Sequence, residues 1–364
     1  MTISRREFMR LTAGAGALAA FGQLGRTTAM AAPSGSYRAM VGIFLFGGND
    51  GWNMVIPTDA RHGAYLSARG SVGIKAPALT ALTNASYALH PAMSALRPVW
   101  DEGGLALVLN AGTLFAPLTK DSYKTRADLR PSNLMSHSDE QAHWQGLRAR
   151  EFNVDGFMGR LADRAGASAT PSLISLGGSN LATIGKTSSA LVLPSTGTLS
   201  RNGFSGSTGA ANLAKNAAVD AFANGASYGV MTEATARDVT GAYTQANTAN
   251  GILTATSALD GYFVNPDTGA ALTSDVARQL MRVARMIEAR GTLGHNRQTF
   301  FVSQGGFDNH SAQVGGGNNA DGSNGSVQSG PVPASPTVTS DRNTNTSSWR
   351  KAGALDGARM VWLR

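Results

Sequence analysis

The stretch TFFVSQGGFDNHSAQ, residues 299–313, holds the features from which the fold can be predicted. Its first four residues are apolar and favour β-structure, which predicts a buried strand. Gly305 and Gly306 then permit a sharp turn, and Asp308 and His310 follow one residue apart. Ligands of open α/β sheets bind outside the carboxyl ends of the strands. We therefore interpret this stretch as a strand that carries a carboxylate and an imidazole to a site.

The same order of features recurs twice earlier in the chain. A predicted strand, Met40–Phe46, is followed by Gly47-Gly48 and then by Asp50, and the predicted strand Ser172–Leu176 also ends at two glycines. If these strands are parallel neighbours, Asp50, Asp308 and His310 converge. Oxygen and imidazole ligands suit Zn, Mn and similar divalent ions. The alternative is a set of ordinary turns in which each Asp caps a helix and the His lies on the surface.

A third candidate element is LMSHSDEQAHWQ, residues 134–145, which places His137, Asp139, Glu140 and His143 within seven residues. On a helix, His137 shares a face with Glu140, and Glu140 with His143. The alternative is a solvated helix start that is capped by a serine. The H-E-x-x-H arrangement of zinc proteases is absent from this stretch.

Helical patterns alternate with short apolar runs along the rest of the chain, which predicts an α/β fold with a mainly parallel sheet covered on both faces. Residues 185–270, rich in Ala, Thr and Asn, are interpreted as an insertion of short helices and loops. Gly291 is expected to end the last helix. The further predicted elements are the helices Pro91–Trp100, Phe157–Arg164 and Thr273–Arg290 and a buried strand, Leu105–Leu109.

Composition narrows the functional classes. The chain has 364 residues and a formal charge of +8, but residues 1–31 and 314–364 carry more than half of that charge. The middle holds no basic cluster with interleaved aromatics, so we predict no nucleic-acid partner. The absence of cysteine excludes thiolate metal sites, thiol nucleophiles and disulfides. We predict no nucleotide cofactor, since the triplet Gly185-Lys186-Thr187 lacks the glycine spacing of a phosphate loop.

The N-terminus, residues 1–31, has the order of an export signal: the pair Arg5-Arg6, a mild apolar run and the small-residue site Ala29-Met30-Ala31. The paired arginines resemble the twin-arginine signal. The expected partners are the twin-arginine translocase and signal peptidase, and the expected location is the periplasm or outside the cell. The apolar run is too short to predict a stable membrane anchor.

Together, the twin-arginine leader, FLFGGNDGWNMVIP, LNAGTLFAPLTKDSY, SHSDEQAHW and FFVSQGGFDNHSAQ resemble the exported bacterial domain of unknown function 1501 (DUF1501) family. That family is placed in the alkaline phosphatase/sulfatase clan. The resemblance implies a three-layer α/β/α sandwich over residues 32–313 and metal-dependent phosphatase or sulfatase ancestry. It also implies a metal site for Zn, Mn, Mg or Ca, with the ligands Asp50, His137, Asp308 and His310.

The resemblance stops after residue 313. In residues 314–364 only 15 of 51 residues are apolar and no His or Glu occurs, so we predict a disordered, non-homologous tail and a domain that is incomplete at its C-terminus. A shifted reading frame or a truncation is the expected origin. The sequence thus predicts a relative of phosphate and sulfate ester hydrolases that is inactive as written. The alternative is a non-catalytic periplasmic binding or assembly protein on the same fold.

Overall fold

The computed structural model describes residues 36–47, 49–165, 171–200, 209–224, 229–265, 268–307 and 358–363. The predicted export signal, Asp308, His310 and most of the predicted tail lie outside these residues. The described strands are, in chain order, β1 Arg38–Leu45, β2 Val55–Pro57, β3 Thr80–Ala81, β4 Tyr87–Leu89, β5 Leu173–Ser175, β6 Leu191–Val192, β7 Arg297–Gln304 and β8 Ala358–Leu363.

The described α-helices are α1 Arg61–Arg69, α2 Arg97–Asp101, α3 Lys120–Thr125, α4 His137–Gly146, α5 Phe157–Ala165, α6 Ala210–Asn224, α7 Val230–Thr254, α8 Asp275–Glu288 and α9 Arg290–Leu293. Short 3-10 helices lie between them, at Gly51–Asn53, Gly70–Val72, Ala76–Ala78, Pro91–Leu96, Ala127–Leu129, Leu181–Thr183 and Ala258–Tyr262.

The main sheet has the strand order β6-β5-β7-β1-β8, and all of its neighbouring strands are parallel. The longest pairing joins β1 to β7, from Arg38 opposite Arg297 to Leu45 opposite Gln304. Strands 260 residues apart in sequence thus form the centre of the sheet, as the two paired-glycine stretches predict.

Alternation along the central strands divides the core between the two faces of the sheet. Val41 and Ile43 of β1 pack in one cluster with Phe300 of β7, whereas Phe44 and Phe301 belong to the cluster on the opposite face. Helices α7 and α8 contribute buried side chains to the first cluster, and α5 contributes to the second. Because a parallel sheet must bury both faces, this arrangement confirms the predicted α/β class. The finer likeness to alkaline phosphatase stays a prediction.

In helix α8, the apolar positions from which the helix is predicted are the ones that it buries. Leu280, Val283, Ala284 and Ile287 recur at helical spacing, and each is 3% exposed or less. The predicted helix end at Gly291 is wrong: α8 ends at Glu288, and Gly291 lies within the short helix α9 that follows. The chain turns instead at Gly294, where a φ of +69° favours glycine.

Two further predictions differ from the structure. Leu105–Leu109 is not a strand: Leu105 and Leu107 pack on the small antiparallel sheet β2-β4-β3, but Val108 is 80% exposed. The run pairs with no described strand of either sheet. The 185–270 segment contains the 15-residue α6 and the 25-residue α7, rather than only short helices.

The strand β8 is an exception within the predicted irregular tail. Its six residues, ARMVWL, pair in parallel with Ala39–Phe44 of β1. Four of them, Met360–Leu363, form the longest apolar run of an otherwise polar segment, which explains why this part of the tail can join a sheet. Among the described helices, none is long and apolar enough to cross a membrane.

Candidate functional site

The three paired-glycine corners lie at one edge of the main sheet. Strands β5, β7 and β1 are adjacent and parallel, so their carboxyl ends point the same way. Each is followed by two glycines, at 177–178, 305–306 and 47–48, of which residue 48 lies outside the described residues. This edge is where ligands of open α/β sheets bind.

Glycine is required at these corners for two different physical reasons. Gly178 and Gly306 have φ values of +77° and +83°, which side-chain-bearing residues rarely adopt. At Gly177 and Gly47, a side chain would instead collide with a neighbouring side chain. A Cβ at Gly177 would lie 2.5 Å from Ser303 Oγ, and one at Gly47 would lie 2.5 Å from Nδ1 of His137.

The close approach of the His137 ring to Gly47 places His137 at the end of β1. His137 is the first residue of α4, and Ser136 caps that helix by accepting a hydrogen bond from the Asp139 N–H at 3.5 Å. Trp144, two turns later, packs beside Phe44 and Phe301 and so fixes the helix over the sheet. The exposed imidazole of His137 therefore lies against the first corner, as the predicted site requires.

Asp50 lies three residues beyond the same corner, but its carboxylate is engaged. It precedes the 3-10 helix Gly51–Asn53 and forms an ion pair with the guanidinium of Arg69 in α1. The Asp50 side chain is only 10% exposed. A metal ion at Asp50 would therefore have to compete with a cation that the chain itself supplies.

The other two predicted ligands, Asp308 and His310, lie outside the described residues. The described chain leads towards the site as far as Phe307, which is 7% exposed. Gly305 lies beside Phe46 at the end of β1, so the segment after β7 leaves next to the first corner. Within the described residues, no group of three or more His, Asp or Glu side chains is arranged to hold a metal ion. Asp50 and His137 alone do not form a metal site.

Sequence reasoning missed two asparagines that follow the corners. Asn49 is 9% exposed, and its amide nitrogen donates to Met54 Sδ at 3.3 Å. The side-chain oxygens of Asn49 and Asn180 are buried without a hydrogen-bond partner. An unpartnered buried acceptor costs about 1–3 kcal/mol, so these oxygens favour a donor or a cation at the edge. Their signal in the sequence is position, since each follows a glycine pair by one or two residues.

The rejected phosphate-loop triplet at 185–187 has a structural explanation. The backbone N–H groups of Lys186, Thr187 and Ser188 donate to the Asp163 carboxylate at 2.7 to 3.0 Å. Burial raises the pKa of Asp163, but these hydrogen bonds outweigh it and hold the pKa below its ordinary value. The N–H groups that would bind a phosphate are thus already occupied by a carboxylate of the chain.

Comparison of the chain with protein-family models, curated proteins and solved structures gives no match. The resemblance to the exported phosphatase-like family therefore stays a prediction. The chain thus forms an α/β domain in which three strands end in paired-glycine turns at one sheet edge. His137, Asp50 and two buried amide oxygens lie at this edge.

Proposed function

We propose that the edge formed by β5, β7 and β1 binds a small phosphate or sulfate ester, and that the chain is related to metal-dependent hydrolases of such esters. The observation that carries the proposal is the packing of His137 against Gly47, which brings an imidazole from a separate helix to the edge where the β7 corner also ends. Close backbone approach at glycine corners suits a compact oxyanion, because no Cβ blocks the N–H groups of the turn.

The chemistry proposed for the intact site is electrostatic. When bound, a divalent ion (Zn, Mn, Mg or Ca) would act as a Lewis acid and would stabilise the charge that develops on the ester oxygens. The proposed ligands are Asp50, His137, Asp308 and His310. His137 orients the ester or the ion from the α4 side.

A second candidate is a non-catalytic binding or assembly protein on the same fold. The ion pair between Asp50 and Arg69 favours it, because a carboxylate that is neutralised within the chain is a weaker metal ligand. In this case the helices α6 and α7 of the Ala/Thr/Asn-rich insertion supply the contact surface. The proposal that the chain is inactive as written agrees with this second candidate.

Metal content and turnover distinguish the two candidates. We would dialyse the purified full chain against each of Zn, Mn, Mg and Ca, determine bound metal by mass spectrometry, and assay p-nitrophenyl phosphate and p-nitrophenyl sulfate. Stoichiometric metal with turnover that is lost in Asp308→Ala and His137→Ala supports the hydrolase. His62→Ala is the control, because His62 lies in α1 and not at a strand end. A folded, metal-free and inert chain supports the binding protein.

We also propose export through the twin-arginine route to the periplasm or the medium. The support is the order of Arg5-Arg6, apolar run and Ala29-Met30-Ala31 in the sequence. Replacing both arginines with lysine is expected to retain the precursor inside the cell, as measured by fractionation. Normal export of that variant would contradict the proposal.

A further inference from the structure

A serine and a histidine that the proposed metal site does not use are hydrogen-bonded to each other. Ser132 Oγ lies 3.2 Å from Nε2 of His143, which is in α4 and 4% exposed. The Ser132 N–H donates to the Ala149 carbonyl at 2.8 Å, and the hydroxyl lies 3.3 Å from the same carbonyl. The serine is thus held between the imidazole and the segment that follows α4.

A carboxylate lies one helical turn before the histidine. Asp139 and His143 are four residues apart on α4 and therefore share a face. Serine, histidine and a carboxylate are the side chains of nucleophilic acyl transfer, which is recognised by geometry rather than by sequence order.

The backbone around this pair is unusual. Five non-glycine residues in the described ranges have positive φ, and three of them lie here: Asn133, Met135 and Leu147, at 49°, 71° and 59°. Left-handed conformations of bulky residues cost energy and cluster at functional sites. Asn133 and Met135 lie between Ser132 and α4, and Leu147 follows α4, the helix that carries His143.

Exposed apolar side chains surround the same segment. Met135, Leu147 and Phe152 are 88%, 54% and 88% exposed, on the two chain segments that meet at the Ser132–Ala149 hydrogen bond. A contiguous exposed apolar patch marks a binding surface, and these two joined segments supply its side chains. They favour a substrate with an apolar acyl or aryl group.

We propose that Ser132 is a nucleophile, that His143 is its general base, and that the substrates are carboxylic esters with an apolar acyl or aryl group. Ser132 Oγ forms a bond to the ester carbonyl carbon and its proton passes to His143 Nε2. The bond from that carbon to the leaving oxygen then breaks, and the leaving alcohol takes the proton from His143. Water attacks the resulting acyl-serine, gives its proton to His143, and releases the carboxylic acid while Ser132 regains its hydrogen.

The same contacts also fit a purely structural role, in which His143 donates to Ser132 Oγ and the hydroxyl donates to Ala149. In that role the hydroxyl is no more reactive than any other serine. A fluorophosphonate probe separates the two roles. An activated serine forms a bond to phosphorus, fluoride leaves, and the serine proton is taken by the base, whereas an ordinary serine does not react.

The experiment uses the full chain with a fluorophosphonate probe and p-nitrophenyl butyrate. We expect peptide mapping to find the label on Ser132, and we expect a loss of about 100-fold or more in labelling and hydrolysis for Ser132→Ala and for His143→Gln. Ser138→Ala, which removes a nearby hydroxyl at an exposed position, is expected to behave as the parent chain. Circular dichroism of each variant checks that it is folded.

Two further measurements test the role of Ser132 without relying on a variant or on a bound metal ion. In the parent chain, the labelling rate should rise with pH in a single step as the base loses its proton, a readout that requires no variant. Labelling should also persist in EDTA, so that a failure of the proposed metal-dependent function leaves this result unaffected. Equal labelling of Ser132 and Ser138 in the parent chain would overturn the proposal, as would full labelling of His143→Gln.

Discussion

Two apolar runs of this chain lie in opposite environments. In β7, Phe300, Phe301 and Val302 are each 0% exposed. In the run Leu105–Leu109, Val108 and Leu109 are 80% and 41% exposed, although its composition is equally apolar. The two runs therefore differ in something that hydrophobicity does not measure.

The difference lies in the backbone partners of each run. β7 lies between β5 and β1. It pairs with β1 along its whole length and with β5 over Thr299–Phe301. Gln279 of α8 adds two hydrogen bonds to the backbone of Ser303, both of 3.0 Å. The run Leu105–Leu109 belongs to no described strand, and only its alternate residues Leu105 and Leu107 pack, on the small sheet. An apolar run becomes a buried strand only where neighbours can satisfy its backbone.

The sharpest test of this contrast is a pair of alanine substitutions. Phe301→Ala removes a ring that stacks on Phe44 with centroids 6.0 Å apart, and we expect a loss of about 3–5 kcal/mol in the free energy of unfolding. Val108→Ala, at an exposed position, should change that free energy by less than about 0.5 kcal/mol. Urea denaturation measures both values. A large loss for Val108→Ala would show that Leu105–Leu109 is buried and that the contrast is false.

The parts of the fold that the sequence predicts well are those with local causes. The period of Leu280, Val283 and Ile287 predicts α8, and the two paired-glycine stretches that end in a carboxylate predict that β1 and β7 share one edge. The failures depend on the neighbours of a segment. The run Leu105–Leu109 pairs with no described strand, and the strand β8 depends on pairing with β1, far away in sequence.

The candidate site also combines features with local causes and contacts that depend on distant parts of the chain. The resemblance implies that His137 is a ligand at the edge. The structure places this ring beside Gly47, and its role as a ligand stays a prediction. The sequence does not predict that Asp50 pairs with Arg69, since that contact joins the turn after β1 to the end of α1 through packing. The Ser132–His143 hydrogen bond is likewise set by how the segment before α4 folds back onto that helix.

Glycine substitutions sharpen the comparison at a smaller scale. Gly177→Ala places a Cβ 2.5 Å from Ser303 Oγ and 3.0 Å from Ser303 Cβ, so the end of β7 must shift. We expect this variant to lose about 1–3 kcal/mol. Gly112→Ala, in the exposed region, meets nothing within 4 Å and should be neutral or slightly stabilising. The check is thermal unfolding, and equal melting temperatures for the two variants would contradict the prediction.

Acid should loosen the start of α5 before it loosens the centre of the main sheet. Hydrogen bonds from Arg160 and Arg148 hold the pKa of Asp155 below its ordinary value of 3.8. Because the pKa is lower in the folded state, the stabilisation is complete above pH 3.8 and is lost as pH falls through the folded value. Hydrogen exchange between pH 5 and about pH 2.5 should show α5 opening before β7.

The acid prediction has a variant that tests its cause. In Asp155→Asn the carboxylate is absent, so the exchange rates of α5 should exceed those of the parent chain at pH 5, and the difference should shrink as pH falls. Simultaneous opening of α5 and β7 in the parent chain would show that the two regions respond to acid as one unit.

A small effect on stability is expected at Gly47, the corner against which His137 of α4 lies. In Gly47→Ala the new Cβ meets the imidazole, 2.5 Å from Nδ1 and 2.9 Å from Cγ, and an exposed ring can rotate away without moving the backbone. We therefore expect a loss of less than about 1 kcal/mol in the free energy of unfolding, together with a clear change in the His137 imidazole NMR signals. The His62 signals serve as the internal control, because that ring contacts the Ile74 carbonyl in another part of the chain. An unchanged His137 signal would mean that this imidazole does not lie at the corner, which would remove the observation on which the proposed ester-binding edge depends.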